Sequence, residues 1–283
     1  MILMTKRPTT WTSLLLLALL VLALAGCASS TPADSPSPTT AATEPKFDPE
    51  ALKPAVVLDE MAGHLYTSWQ LWQVENYPLA AMHAGHTLGE SLPQVEKTLP
   101  AATLDALKAA LTTYQTATGL AGDQAVAQQA YDGAAVAIAA ARQSLPNVDD
   151  PRFQAAVMRE VLETVEREYA EGVDAGKIVN IAEYQDSFGF VAVIQAQYPA
   201  LSPAVQERDA DGDVEIAGAL EKLGAAFSAV MPVEPLTPLA DVAEETDEIR
   251  AELAKIFELT DAAALSTQEI VALVREMTQH AVD

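Results

Sequence analysis

Pro151-Arg-Phe-Gln-Ala-Ala-Val-Met-Arg-Glu-Val-Leu-Glu-Thr-Val-Glu-Arg-Glu-Tyr-Ala-Glu-Gly-Val173 is the stretch that decides the fold class. Asp149 and Asp150 precede a proline that suits the first turn of a helix. Val157, Val161, Leu162 and Val165 then recur at the spacing of one helix face, with arginines and glutamates filling the other. Nothing in the stretch alternates as a strand would. It reads as an amphipathic helix of about six turns, whose apolar stripe requires other helices to cover it.

The same pattern extends in both directions. Helices are expected over 54–75, 78–91, 103–118 and 123–145 before this stretch, and over 181–198, 209–230, 240–257 and 266–281 after it. Alanine, leucine, glutamate and glutamine dominate, β-branched runs are short, and no alternating strand of useful length appears. Pro199 is expected to close the helix before it, and the three prolines of 231–238 mark an extended connector. The fold class is therefore all-α, a multi-helix bundle. Pro146–Pro151 is the natural seam, dividing the chain into helical subdomains 47–146 and 147–283, with a single helical array as the alternative.

The N-terminus has a different character. Lys6 and Arg7 precede an apolar run that ends in Leu24-Ala25-Gly26-Cys27. The run is too short for a bilayer span and carries the flanks of a cleaved export signal. These residues resemble a bacterial lipoprotein signal, which implies a signal peptide over 1–26, cleavage before Cys27 and lipidation of that sulfur. Ala28 lacks the aspartate associated with inner-membrane retention, so the expected location is the cell membrane or the outer membrane, lipid-anchored and facing the periplasm or exterior. Residues 27–46 are rich in Ser, Thr, Pro and Ala and cannot bury a core, so they read as a disordered tether. Cys27 is the single cysteine of the chain, which rules out an intramolecular disulfide framework. No later run is long and apolar enough to cross a bilayer.

The formal net charge of the 283-residue chain is −24, and loss of Lys6 and Arg7 with the signal makes it more negative. Such a surface repels phosphate backbones and anionic headgroups, which sets aside any nucleic-acid role and leaves the lipid as the membrane attachment.

Ala80-Ala-Met-His83-Ala-Gly-His86-Thr-Leu-Gly-Glu90 carries the chemistry. His83, His86 and Glu90 fall at i, i+3 and i+7, on one stripe of a helix. Imidazoles with a carboxylate form a donor set that a transition metal accepts. The preceding helix offers His64 or Glu60, one turn apart, as the other half of a site. Gly85 and Gly89 weaken the helix and would let a neighbour approach closely. The competing reading is that these histidines make ordinary hydrogen bonds at a helix interface. Asp209, Asp211 and Asp213 start like a calcium loop, but Val214 and Leu220 stand where glycine and the bidentate glutamate belong, so an acidic helix start is favoured. Tyr66, Trp69, Trp72 and Tyr77 read as core. No catalytic constellation is identifiable.

Tyr169-Ala-Glu-Gly-Val173-Asp-Ala-Gly176-Lys177-Ile178-Val179-Asn-Ile-Ala-Glu183-Tyr184-Gln-Asp-Ser-Phe-Gly-Phe190 resembles a segment in the extracytoplasmic part of bacterial high-affinity iron permeases. The His-Ala-Gly-His…Glu stretch is similar to one found in such helical regions. The resemblance implies an all-helical extracytoplasmic module tied to iron uptake, with iron as the metal and an iron-transport membrane protein as a partner. Arg159-Glu160-x-x-Glu163 and Arg167-Glu168-x-x-Glu171 fit the Arg-Glu-x-x-Glu motif that those permeases carry in membrane helices. On this charged helix they read instead as a solvated face. The expected function is a lipid-anchored protein that binds a transition metal as an accessory to uptake or storage. The alternative is a structural or interaction lipoprotein with no metal.

Overall fold

Acidic and amide side chains start the helices. Asp123 Oδ1 accepts from Ala125 N at 2.8 Å, Asp150 Oδ1 from Arg152 N at 2.8 Å, Asn180 Oδ1 from Ala182 N at 3.1 Å and Asp209 Oδ1 from Gly212 N at 3.0 Å. Each satisfies a backbone donor that the first helical turn leaves open. The computed structural model describes residues 49–118 and 122–259. It contains α1 (Pro49–Gln73), α2 (Tyr77–His86), a π-helical turn (Thr87–Ser91), α3 (Leu92–Val95), α4 (Ala101–Thr118), α5 (Gln124–Gln143), α6 (Pro151–Gly172), α7 (Ile181–Arg208), α8 (Ala210–Ala226) and α9 (Leu239–Ile256). Between α6 and α7 a two-residue antiparallel hairpin pairs β1 (Val173–Asp174) with β2 (Lys177–Ile178). The all-α expectation holds. The signal segment, Cys27, the tether and the helix expected over 266–281 lie outside the described residues. Among the described residues, no helix is long and apolar enough to cross a membrane.

Helices α6, α7, α8 and α9 form a ring in which α6 packs on α7 and α9, and α8 packs on the same two. Phe153, Val157, Leu162, Val165 and Tyr169 of α6 are buried in this bundle, beside Tyr184, Ile194 and Leu223. Helix α1 lies against α6 and α7 and carries α2 and α5 on its other sides, while α4 packs on α5 and α2. The described residues belong to one compact unit. The turn between α5 and α6 passes through Asn147 at φ 64°, and α1 touches helices on both sides of it.

The contact of α1 with α7 is close enough to exclude side chains. A Cβ on Gly189 would collide with the Gly63 carbonyl oxygen and with Thr67 Oγ1, and one on Gly63 would enter the Phe190 ring. Thr67 Oγ1 donates to the Gln185 carbonyl oxygen at 2.8 Å across the same crossing. The close approach expected at Gly85 and Gly89 is therefore found elsewhere. A Cβ at Gly89 would meet nothing within 4 Å, and one at Gly85 would make only an ordinary contact with Gln115.

Helix α7 does not stop at Pro199. It runs to Arg208 with Pro199 and Pro203 inside it. Each proline forfeits a backbone hydrogen bond, but Leu201 and Val205 are buried on the continuing face, and burial of two such side chains offsets the loss.

Candidate metal centre

Asn76 caps α2 through its side chain, and Pro78 occupies the first turn. Two contacts then fix the helix: Ser68 Oγ donates to the Ala80 carbonyl at 2.6 Å, and Tyr114 OH donates to Ser68 Oγ at 3.0 Å. This ties α2 to α1 and α4 and turns His83 and His86 toward the α1–α7 crossing. His83 is fully buried, and His86 is partly buried.

His64, His83, His86 and Asp186 converge there. Each offers one potential ligand atom, and the four atoms lie within 4.8 Å of one another. Asp186 of α7 is the centre. Its Oδ1 lies 2.7 Å from His64 Nδ1 and 2.9 Å from His83 Nδ1, and its Oδ2 lies 3.8 Å from His86 Nδ1. The ring centroids of His64 and His86 are 5.1 Å apart, and those of His83 and His86 are 5.2 Å apart.

Only the His64 contact is a well-aligned hydrogen bond. His83 Nδ1 and His86 Nδ1 are buried without a hydrogen-bond partner, although His83 Nδ1 is 2.9 Å from a carboxylate oxygen. The distance permits a bond and the ring's direction does not satisfy it. A buried nitrogen left unpaired is costly, and two beside one carboxylate make a donor set that a cation could satisfy. Three imidazoles and a carboxylate fit zinc, iron, copper or nickel, and bonds of about 2.1 Å would bring these atoms into a common shell.

Burial would raise the Asp186 pKa, but the hydrogen bond from His64 holds the carboxyl well below the usual range. Burial works against charge on His64, yet the hydrogen bond and charge of Asp186, with Glu60 and Glu90 adding, raise its pKa above the ordinary value. His86 goes the other way. Burial lowers its pKa by more than the charge of Asp186 and Glu90 restores, and the neighbouring rings of His64 and His83 add to the lowering.

The residues anticipated from sequence separate into two sets. His64, His83 and His86 come together. Glu90 stays at the rim: its Oε1 is 3.8 Å from His86 Nε2 and its side chain is 64% exposed. The reason is the π-helical turn over Thr87–Ser91, which takes more residues per turn than an α-helix and carries Glu90 off the stripe that i, i+7 spacing assumes. Glu60 accepts from Thr164 Oγ1 at 2.9 Å on α6, and burial raises its pKa. It lies outside the group of four and acts on His64 through space.

Asp186 and its neighbour Gln185 were not singled out from sequence, although both sit in the stretch that carries the iron-permease resemblance. A usable signal was present. Every residue from Tyr184 to Val191 is buried, and a polar triplet, Gln185-Asp186-Ser187, inside an otherwise apolar segment demands partners.

The remaining sequence candidates have structural roles. Asp209 caps α8, and Asp213 Oδ1 accepts from Tyr198 OH at 2.6 Å. Trp69 stacks on Trp72 and on Tyr131, with centroids 5.3 and 5.2 Å away. Along the two Arg-Glu-x-x-Glu segments, Arg167 pairs with Glu168 at 2.9 Å and Glu163 with Arg250 at 3.4 Å. A second acidic group, Glu168, Glu171 and Glu183, spans α6 and α7 nearer the surface.

Residues 144–260 match the family model of the iron permease-associated 4-helix bundle domain. No curated protein and no solved structure matches the chain. The matched span is the ring of α6 to α9, so the bundle that supplies Asp186 and Gln185 is similar to an iron permease-associated domain, and the three histidines come from helices outside it.

Proposed function

We propose that this protein is a lipid-anchored, extracytoplasmic metal-binding accessory to an iron-transport membrane protein. His64, His83, His86 and Asp186 hold the ion, and Cys27 carries the anchor. Glu90, at the rim, is the first carboxylate an incoming cation meets, and Glu60 balances charge behind His64. The helices before and after Pro146–Pro151 then act as two subdomains that share one site, histidines from the first and the carboxylate from the second. The family match supports the link to iron transport, and the strongly acidic chain attracts cations to the site.

One observation carries the metal reading: two buried imidazole nitrogens without partners converge with a third on a single buried carboxylate. In a protein without a ligand function, those positions would hold groups that bond to one another or apolar side chains. The ion supplies positive charge where the chain has gathered only lone pairs and a carboxylate. The chain fixes the donors and excludes water from all but the His86 side.

The test is metal content and affinity of untagged protein, wild type against the His83→Ala/His86→Ala double variant. One equivalent of metal in the wild type, and its loss in the variant with helicity unchanged, is the expected result. Equal, substoichiometric metal in both would leave the histidines as interface residues of a structural lipoprotein.

A further inference from the structure

Gln185 contacts no candidate ion position, yet it determines what His83 presents there. Its amide is oriented by Val230, Met231 and His83. The Nε2 group donates to the Val230 carbonyl oxygen at 3.1 Å, which an amide oxygen could not do. The Oε1 therefore faces His83 Nε2, at 2.9 Å. Because an amide oxygen only accepts, His83 Nε2 must carry a hydrogen. In the neutral ring the other nitrogen, Nδ1, is then a lone pair, and it lies 2.9 Å from Asp186 Oδ1. Two acceptors at that distance repel, which matches the absence of an aligned hydrogen bond at Nδ1. A cation bound to both turns the repulsion into coordination. Gln185 is fully buried, so water does not compete for its bonds.

We infer that Gln185 is the positioning residue of the site: it locks His83 with its hydrogen on Nε2 and so turns the Nδ1 lone pair toward an ion held beside a single carboxylate, a donor set that selects a divalent ion over ferric iron. This rests on the metal reading above and deepens it. The ion preference follows from charge. One carboxylate leaves a bound divalent ion with a single net positive charge, and a trivalent ion with two, in a site where His83 and Asp186 are buried. Uncompensated buried charge is strongly unfavourable. Glu60 is engaged by Thr164 and Glu90 is exposed, so neither makes up the difference as a ligand. Imidazole also suits the borderline divalent ions of the first transition row.

Two measurements test this, one of them without any metal. In metal-free protein labelled with 15N-histidine, His83 should show a protonated Nε2 and a bare Nδ1. Gln185→Leu should mix the tautomers and weaken binding of Zn2+ or anaerobic Fe2+ by 10- to 100-fold, the range for loss of such an orienting partner. Gln185→Glu can accept from His83 through one oxygen and, protonated, donate to Val230 through the other, so it should restore the tautomer and most of the affinity. Fe3+ supplied as its citrate complex should fail to displace Zn2+. A protonated His83 Nδ1 in the wild type, an unchanged tautomer in Gln185→Leu, or Fe3+ displacing Zn2+ would each overturn the inference. If His83 shows the expected tautomer but neither Zn2+ nor Fe2+ binds, the metal reading fails and the ion preference falls with it, while the positioning by Gln185 stands.

Discussion

Two aspartates are buried along the seam between α1 and α7, and the protein treats them differently. Asp59, on α1, receives Arg142 Nε at 2.8 Å from α5 and Gln197 Nε2 at 2.9 Å from α7, both on Oδ1. Asp186, on α7, meets His64 from α1 and His83 and His86 from α2. Arginine brings a permanent charge with hydrogens attached, so the Asp59 cluster is complete in protein atoms apart from Oδ2. Burial still raises the Asp59 pKa despite Arg142, and the guanidinium already supplies the cation this carboxyl needs. Asp186 is held well below the ordinary range, stays ionised, and faces rings whose spare nitrogens cannot all be donors. The first arrangement closes a helix interface. The second leaves two buried imidazole nitrogens unpaired beside a carboxylate.

The most severe way to break this contrast is to separate α1 from α7. Gly189→Ala places a methyl against the Gly63 carbonyl and Thr67 Oγ1, neither of which is the free end of a flexible side chain. The helices must move apart, at a cost of about 3 kcal/mol, measurable as a lower midpoint in urea unfolding. His64 shifts with α1 while Asp186 stays with α7, so metal affinity falls as well. Unchanged stability would mean that the crossing is looser than described.

Substitutions at the two aspartates should exchange consequences. Asp59→Ala removes the partner of a half-buried guanidinium and should destabilise by about 2 kcal/mol, with metal affinity retained in the folded fraction. Asp186→Asn keeps the shape and an acceptor for His64, so the metal-free protein should lose only about 1 kcal/mol. Its metal affinity should fall by more than the roughly 100-fold expected for outer partners, because the only anionic ligand is gone. Urea unfolding and metal titration of both variants decide the matter. If Asp186→Asn unfolds the protein while Asp59→Ala weakens metal binding, the roles assigned here are reversed.

The fold was readable from sequence because it rests on local periodicity: Val157, Val161, Leu162 and Val165 define the buried face of α6 with no knowledge of the rest. The grouping of His83 with His86 was readable for the same reason, and His64 was offered by the preceding helix. Asp186 was not, since it is 100 residues away from His86 in the chain and only the α1–α7 crossing brings it in. Glu90 was misplaced because i, i+7 geometry presumes a regular helix, and the π-helical turn over Thr87–Ser91 is set by packing that periodicity does not encode. The close crossing belongs to Gly63 and Gly189, each of which looks unremarkable until the other is beside it. Long-range pairings of this kind are what helical spacing leaves out.

A third acid on α7 sharpens the contrast with the smallest effect. Glu183 lies one turn before Asp186 and has acids for neighbours. Burial, then the hydrogen bond and charge of Glu168, push its pKa up to about 7 from 4.5. Two of the three carboxyls are thus raised, Asp59 by burial against its arginine and Glu183 by burial with its acidic neighbours, and only Asp186, among histidines, is lowered. A group whose folded pKa exceeds its unfolded value binds more protons in the native state between the two, so stability falls as pH rises through that window. For Glu183 the loss runs from about pH 4.5 to about 7. Glu183→Gln keeps an oxygen for Asn180 Nδ2, which donates to Glu183 Oε1 at 3.1 Å, and removes the titration. Thermal melts of the two proteins should therefore nearly coincide at pH 5, and the variant should melt higher at pH 7.5. Other titrating groups, His64 and His86 among them, are common to both chains and cancel in the difference. The gap should be modest, because Glu183 is partly exposed and solvent screens its repulsion. Parallel melting profiles across this range would show that Glu168 and Glu183 do not share a proton, and that the acidic group on α6 and α7 is a solvated surface with no bearing on Asp186.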